Sequence, residues 1–167
     1  MIELRERPVA AAPSTYQDWL DCFERMKEEP LSGNGDFGVL ALGSFAGTGA
    51  MQSALESQMV DAINAVLNKS TKRFVRDLNE CIAFNELAQV DVLFKRLKKD
   101  IHKTTFFLEL SFLSSDFKNE LYQSITKQMT GFWDDTIRFL RQQAMDYSNS
   151  DLEDALFLIR RIRLFSE

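Results

Sequence analysis

The stretch between Gly49 and Gly131 most restricts the fold, because it contains neither glycine nor proline. Apolar residues recur along it at steps of three and four, which is the spacing of one face of an α-helix. The first such run comprises Met51, Leu55, Met59, Ile63, Leu67, Phe74, Leu78, Cys81 and Ile82. Polar residues 68–71 would permit a break at Ser70, but no glycine or proline enforces one. We therefore favour a continuous second helix.

Two further runs predict a third and a fourth helix. The third run follows a turn near residues 85–89 and comprises Val90, Phe94, Leu97, Ile101, Thr105, Leu108 and Phe112. Residues 108–112 also alternate as a strand would, but their helical flanks and the lack of partner strands favour a helix. The fourth run follows a helix start at residues 114–116 and comprises Phe117, Leu121, Ile125, Met129, Phe132, Ile137 and Leu140.

The first and last helices are marked by capping boxes. In a capping box, the side chain of the first residue accepts a hydrogen bond from the backbone amide three residues later, and the side chain of that later residue accepts one from the backbone amide of the first. Ser14 and Gln17 supply the first, and the helix after it should run to about Glu28. Ser150 and Glu153 supply the second. The final helix should then bury the apolar residues Leu152, Leu156, Ile159 and Ile162.

Long helices with short connections place sequential neighbours antiparallel. The predicted fold is therefore all-α: an up-and-down antiparallel helical bundle of four to six helices, with a glycine-rich loop after the first helix. We expect a flexible leader at residues 1–13 and a single domain at 14–167, with the glycine-rich loop at 30–49. A chain of 167 residues with 45% hydrophobic residues is large enough to bury such a core.

The composition also restricts the environment of the protein. Lys and Arg number 20 against 25 Asp and Glu, so the net charge of −5 lacks the basic excess typical of nucleic-acid binding. The two cysteines form no CxxC pair, and no secretory signal or run of about 20 apolar residues is present. We expect a cytoplasmic protein with buried thiols.

Motifs of known chemistry are weak in this sequence. Residues 33–38 match the letters GxGxxG, but they follow no buried strand, which a dinucleotide-binding loop requires. His102 is the only histidine, so no multi-histidine metal site can form. The aromatic stretch from Phe106 to Phe139 is more typical of a core than of a ligand pocket. We predict no catalytic, cofactor-binding or metal residues, and no cofactor.

Two stripes of basic residues are the candidate site for an anion or a partner. One lies on the second helix, the other on the third, and folding back near residue 87 would place position 76 opposite about 98. The candidate residues are Lys69, Lys72, Arg73, Arg76, Lys95, Lys98, Lys99, His102 and Lys103. Such stripes can bind phosphate-bearing ligands or nucleic acid, but an ordinary solvated helix face has the same pattern.

These observations favour a non-enzymatic interaction protein over an enzyme, because no acid, base or nucleophile converges with a partner group. We expect it to bind another protein or its own copy, with homodimer formation favoured by the length of the second helix. The alternative is a regulator that binds an anionic ligand or nucleic acid through the basic stripes. No membrane partner is expected.

Overall fold

The computed structural model describes residues 12–28, 43–149 and 151–166. The α-helices in these ranges are α1 (Tyr16–Glu28), α2 (Gly49–Ala83), α3 (Val90–Lys103), α4 (Ser115–Ser148) and α5 (Leu152–Ser166). Short 3₁₀ helices occupy Leu87–Gln89 and Thr104–Glu109. The ranges contain no strand, so the all-α class is confirmed.

Two sequence-based expectations fall largely outside these ranges. The glycine-rich loop at 30–49 is described only from residue 43, and the GxGxxG match at 33–38 is not covered. The leader at 1–13 is described only at its last two residues, of which Pro13 is buried. Among the described helices, none combines the length and the apolar character needed to cross a bilayer.

The start of α1 lies one residue later than the predicted capping box. Thr15 Oγ1 accepts a hydrogen bond from the Asp18 amide at 3.2 Å, and the Asp18 carboxylate accepts one from the Thr15 amide at 3.0 Å. The same carboxylate accepts from the Ser14 amide at 3.3 Å. The Ser14 and Gln17 prediction was therefore wrong by one position, because a charged carboxylate at Asp18 suits the positive end of the helix better than the neutral Gln17 amide.

The α2 helix is continuous through Ser70, as the absence of glycine and proline predicted. Its 35 residues rise about 52 Å at 1.5 Å each. It ends where Asn85 adopts a left-handed conformation with φ of 56°. The Glu86 amide donates to the Cys81 carbonyl at 2.7 Å and the Asn85 amide donates to the Ile82 carbonyl at 3.1 Å. Both bonds belong to the Schellman motif of helix ends. This motif requires one residue in the left-handed conformation, which asparagine adopts more readily than most residues.

The α3 helix ends at Lys103, well before the predicted end near Phe112. Thr104 Oγ1 and Thr105 Oγ1 donate hydrogen bonds to the carbonyls three residues earlier, each at 2.7 Å. These bonds compete with the regular helical pattern, and the chain tightens into the 3₁₀ helix at Thr104–Glu109. The prediction of a third helix through residue 112 was therefore wrong at its end, because threonine gives a weaker stop signal than glycine or proline.

The chain groups into two compact units. The first comprises Met1–Asn68 and Ile101–Lys118, and the second comprises Lys69–Asp100 and Asn119–Glu167. In the first unit, Trp19 is fully buried and its ring lies 5.7 Å from Phe23 and 5.3 Å from Phe112. The Trp19 indole also donates to the Ser44 carbonyl at 3.2 Å, which satisfies the one polar atom of that side chain.

The core of the second unit is an aromatic cluster formed by α2, α3 and α4. Phe94 stacks on Trp133 with centroids 5.1 Å apart, and Phe74 meets Phe94 edge-on at 5.0 Å. Phe132 adds a further ring at 5.8 Å from Phe74. Phe74 and Phe94 are buried, and Phe132 and Trp133 are half-buried in contact with them, which favours the core interpretation of these aromatics over a ligand pocket.

The direction of the helices in the second unit follows from their contacts. Along α2, Phe74 meets Trp133 and Ile82 accepts a hydrogen bond from Tyr147 Oη at 3.1 Å, so α4 runs parallel to α2. Ion pairs described below show that α3 runs antiparallel to α2. Within this unit, α2, α3 and α4 therefore alternate in direction, as the up-and-down prediction requires.

The α5 helix buries a different face from the predicted one. Its buried apolar residues are Ala155, Leu158 and Ile162. The predicted buried residues Leu152, Leu156 and Ile159 are exposed by 64%, 44% and 52%. That part of the prediction was wrong, because the helix carries apolar residues at helical spacing on two faces and the periodicity alone does not choose between them.

Candidate functional site

The second unit holds a partly buried ion pair between α2 and α3. Arg73 Nη2 lies 2.5 Å from Asp100 Oδ2, and the Asp100 side chain is only 5% exposed. Asp100 stands three residues after Leu97, on the buried side of α3. A buried carboxylate requires a charged partner, so the Arg73 guanidinium is held beside Asp100 in the interior of this unit.

A second, more exposed cluster of charges lies around Asp77. Arg76 Nη2 is 2.8 Å from Asp77 Oδ1, and Arg96 Nη1 is 4.0 Å from Asp77 Oδ2. The hydrogen bond to Asp77, assisted by its negative charge, raises the pKa of Arg76. Three arginines of the two helices are thus paired with two aspartates of the same helices.

These pairs fix the register of α2 against α3. Arg73 meets Asp100, and Asp77, four residues further along α2, meets Arg96, four residues back along α3. This is antiparallel packing, and it places position 76 opposite position 97. The sequence-based pairing of 76 with about 98 agrees to within one residue.

The candidate basic residues are divided by this packing. Arg73 and Arg76 are engaged with Asp100 and Asp77. The exposed members in the second unit are Lys69, Lys72, Arg76, Lys95, Lys98 and Lys99. His102 is exposed and Lys103 is half-buried, and both belong to the first unit. The anion-binding hypothesis therefore depends on the lysines rather than on the arginines.

A small pocket lies beside the Arg73–Asp100 pair. Its lining includes Ser70, Asp77 and Arg96 along with the pair itself, and its cavity volume is about 10 Å³. Pockets for small organic ligands usually measure about 300–1,000 Å³. The charged lining groups already pair with each other, Arg73 with Asp100 and Arg96 with Asp77, so this pocket is better explained by the ion pairs than by a ligand.

The exposed face of α5 is the apolar surface that most requires an explanation. Leu152, Leu156 and Ile159 follow at steps of four and three, so they form one stripe along the helix. Glu153 and Arg160 are exposed along one edge of this stripe. We refer to these five residues as the α5 surface. An exposed stripe of large apolar side chains beside charged ones is typical of a protein-binding helix face.

The opposite side of α5 is fixed to the second unit. Arg161 Nη2 lies 3.1 Å from Asp91 Oδ2 on α3, and the Arg161 guanidinium stands 4.7 Å from the ring centroid of Phe157. Asp151 caps the helix start by accepting from the amides of Glu153 and Asp154. The predicted cap Ser150 lies outside the described residues, and the Asp151 carboxylate supplies the acceptor one position later. The α5 surface is therefore held in place by anchors on its own unit.

The remaining ionisable groups offer no assembled chemistry among the described residues. In that part of the chain, no three His, Cys, Asp or Glu side chains converge as a metal site would require. Cys22 and Cys81 form no disulfide and both are buried. Burial, and to a lesser extent the charge of Glu86, raises the pKa of the Cys81 thiol. A raised pKa reduces the thiolate fraction, so Cys81 is a poor nucleophile.

Comparison with protein-family models, with curated proteins and with solved structures found no match to this chain.

The sequence analysis had missed two features of the second unit. It overlooked Asp77 and Asp100 as partners of the basic stripes, and it assigned the apolar residues of the α5 surface to the core. A signal for the first was present, since Asp100 follows Leu97 by three residues and so shares its buried face.

Proposed function

We propose that this chain is a non-enzymatic interaction protein that self-associates through the α5 surface. The observation that carries the proposal is the exposure of Leu152, Leu156 and Ile159 on a helix whose other face is buried and anchored. Covering an apolar surface contributes about 25 cal/mol per Å² removed from water. A convex helix face suits a protein partner rather than a small ligand, which needs a concave site.

A second copy is the favoured partner because the surface carries charges of both signs. Glu153 and Arg160 flank the same apolar stripe, so one copy presents the complement of what another copy offers. We also place this interaction in the cytoplasm, since two buried cysteines without a disulfide suit a reducing compartment.

The test is the molar mass of the wild-type chain in solution. Size-exclusion chromatography with light scattering should give twice the 19.2 kDa chain mass at micromolar concentration. Leu156→Glu places a charge at the centre of the stripe and should yield the monomer. The matched control is Val75→Glu, which adds the same charge at an exposed apolar position of α2. Circular dichroism establishes that both variants fold. A wild-type monomer at all concentrations would refute self-association.

The second candidate function is a regulator that binds an anionic ligand or nucleic acid. It is favoured by Lys72, Lys95 and Lys98, which are exposed on α2 and α3 beside arginines already paired with aspartates. Their ammonium groups are the part of the basic stripes that a phosphate could reach. Salt-dependent binding of a short DNA duplex, compared between the wild-type chain and a variant with these three lysines changed to glutamate, tests this candidate.

A further inference from the structure

We infer that two copies pair through α5 in antiparallel orientation, with Glu153 of each copy opposite Arg160 of the other. This inference rests on the proposed self-association and specifies its geometry. It follows from three observations on the α5 surface: the spacing of the two charges, their shared edge of the stripe, and the lack of competing partners within the described chain.

The two charged residues are seven positions apart. Seven residues make nearly two turns of an α-helix, so Glu153 and Arg160 project from almost the same side. Leu156 lies between them, three residues after the one and four before the other. Both charges therefore border the apolar stripe along one edge, where side chains flank the contact in a helix pair and select partner and orientation.

Neither charge has an ion-pair partner among the described residues, although Arg161 on the same helix does. The helix cap at Asp151 uses only the backbone amide of Glu153, so the Glu153 carboxylate takes no part in that cap. Both side chains are exposed and remain available to another molecule.

The sign of the charges selects the orientation. A twofold axis crossing α5 midway between these residues puts Glu153 of one copy opposite Arg160 of the other, and symmetry repeats the contact. The same axis passes within one residue of Leu156, so Leu156 of one copy meets Leu156 of the other. A parallel twofold pair would instead turn the charged edge of each copy to opposite sides of the contact, so neither attractive contact could form.

The inference is tested by charge reversal in the full chain. Glu153→Arg and Arg160→Glu should each raise the dimer Kd roughly tenfold, since two attractive contacts become repulsive. An equimolar mixture of these two variants should form a heterodimer with about the wild-type Kd, because both contacts are attractive again. Glu120→Arg, an exposed change of the same charge on α4, should leave the Kd unchanged. Sedimentation velocity measures the dimer Kd of the two charge-reversal variants, of their mixture and of the control. In the mixture, one variant is fluorescently labelled.

The outcomes separate the geometry from the function. If the wild-type chain dimerises and Leu156→Glu dissociates it, but the single charge reversals do not weaken the dimer, the antiparallel geometry is overturned and the proposed function stands. A parallel twofold pair would behave in that way, because its two charged edges lie on opposite sides of the contact and do not meet. A wild-type chain that never dimerises overturns the proposed function and the geometry together.

Discussion

Arg73 Nη2 and Asp100 Oδ2 lie 2.5 Å apart between α2 and α3, and the pair holds a carboxylate on the buried side of α3. Asp100 is nearly inaccessible, while Arg73 keeps 24% of its side chain exposed. Removing one member of a buried pair leaves an uncompensated charge, which costs more than the pair itself contributes. The relationship therefore makes a clear prediction about stability.

Arg73→Met should lower the free energy of unfolding by about 2–3 kcal/mol, somewhat less than for a fully buried pair because Arg73 is partly solvated. Methionine keeps much of the apolar stem of the arginine and removes the charge. Urea unfolding followed by circular dichroism measures the change. The double variant Arg73→Met with Asp100→Leu should recover most of the loss, because no buried charge then remains unpaired.

The control for this prediction is Arg76→Met. Arg76 is exposed and its partner Asp77 is its sequence neighbour, so this substitution should change the stability by less than about 1 kcal/mol. Equal losses for Arg73→Met and Arg76→Met would show that burial of the Asp100 pair is not what matters.

The basic stripes on α2 and α3 show which parts of the fold and of the candidate site can be predicted from the sequence. The absence of glycine and proline, with apolar steps of three and four, was enough to predict α2 and its pairing with α3 to within one residue. The role of the basic residues was not predictable, because a periodic pattern locates a side chain on a face but not its partner across an interface. Arg73 and Lys72 are adjacent basic letters, yet only Arg73 points towards Asp100.

The start of α1 offers a test of which serine or threonine is the cap. Thr15→Ala should destabilise the protein by about 1 kcal/mol, whereas Ser14→Ala should have a smaller effect, because the main contribution of Ser14 to Asp18 is its backbone amide. Urea unfolding of both variants decides between the structure and the capping box expected from the sequence. A larger loss for Ser14→Ala would contradict the geometry at Thr15.

The same cap predicts an acid dependence through Asp18. The hydrogen bond from the Thr15 amide, with smaller contributions from the Thr15 side chain and from Ser14, lowers the pKa of Asp18. A lowered carboxyl pKa stabilises the fold above the unfolded value of about 3.9, and the stabilisation is lost as pH falls through the folded pKa. Asp18→Asn should therefore cost stability at pH 7 and have a vanishing effect near pH 2.

The α5 helix shows where periodicity fails. Leu152, Leu156 and Ile159 make one valid helical stripe, and Ala155, Leu158 and Ile162 make another. Which stripe is buried depends on tertiary anchors such as the contact of Arg161 with Asp91, which lies more than sixty residues away in sequence. Local spacing contains no information about such a contact, so the surface was visible only in the structure.

Alkaline pH should weaken the second unit through Tyr147. Burial, with the nearby charges of Asp154 and Asp151, raises the pKa of Tyr147, whose hydroxyl donates to the Ile82 carbonyl. A raised pKa means that stability is full below the unfolded value of about 10 and is lost as pH rises through the folded pKa. Tyr147→Phe should cost about 1 kcal/mol at pH 7 and reduce the decline above pH 10.

The control for the alkaline prediction is Tyr122→Phe, an exposed tyrosine of α4. Its unfolding curve should follow the wild type at every pH. The buried thiol of Cys81 also has a raised pKa, so an earlier decline from about pH 8.5 should persist in Tyr147→Phe. If Tyr147→Phe and the wild type lose stability in parallel above pH 10, the buried hydroxyl is not responsible.

Substitution of exposed lysines on α2 and α3 distinguishes an anion-binding face from an ordinary solvated one. Reversing the charge of Arg73 would place a second negative charge beside buried Asp100 and unfold the unit, so Arg73 is not used for this test. Lys72, Lys95 and Lys98 are exposed and avoid that defect. If they contact phosphates, the triple variant with glutamate at these positions should lose binding to a short DNA duplex.

Counterion release gives the expected size of that loss. Each phosphate contact contributes about 0.9 to the slope of log affinity against log salt, so losing three should lower the slope by roughly 3. Fluorescence anisotropy from 50 to 200 mM salt measures it. The control with glutamate at Lys127, Arg138 and Arg141 makes the same charge change on exposed positions of α4. Equal losses in both triple variants would reflect net charge alone, and no binding by the wild type at low salt would leave the lysines as a solvated face.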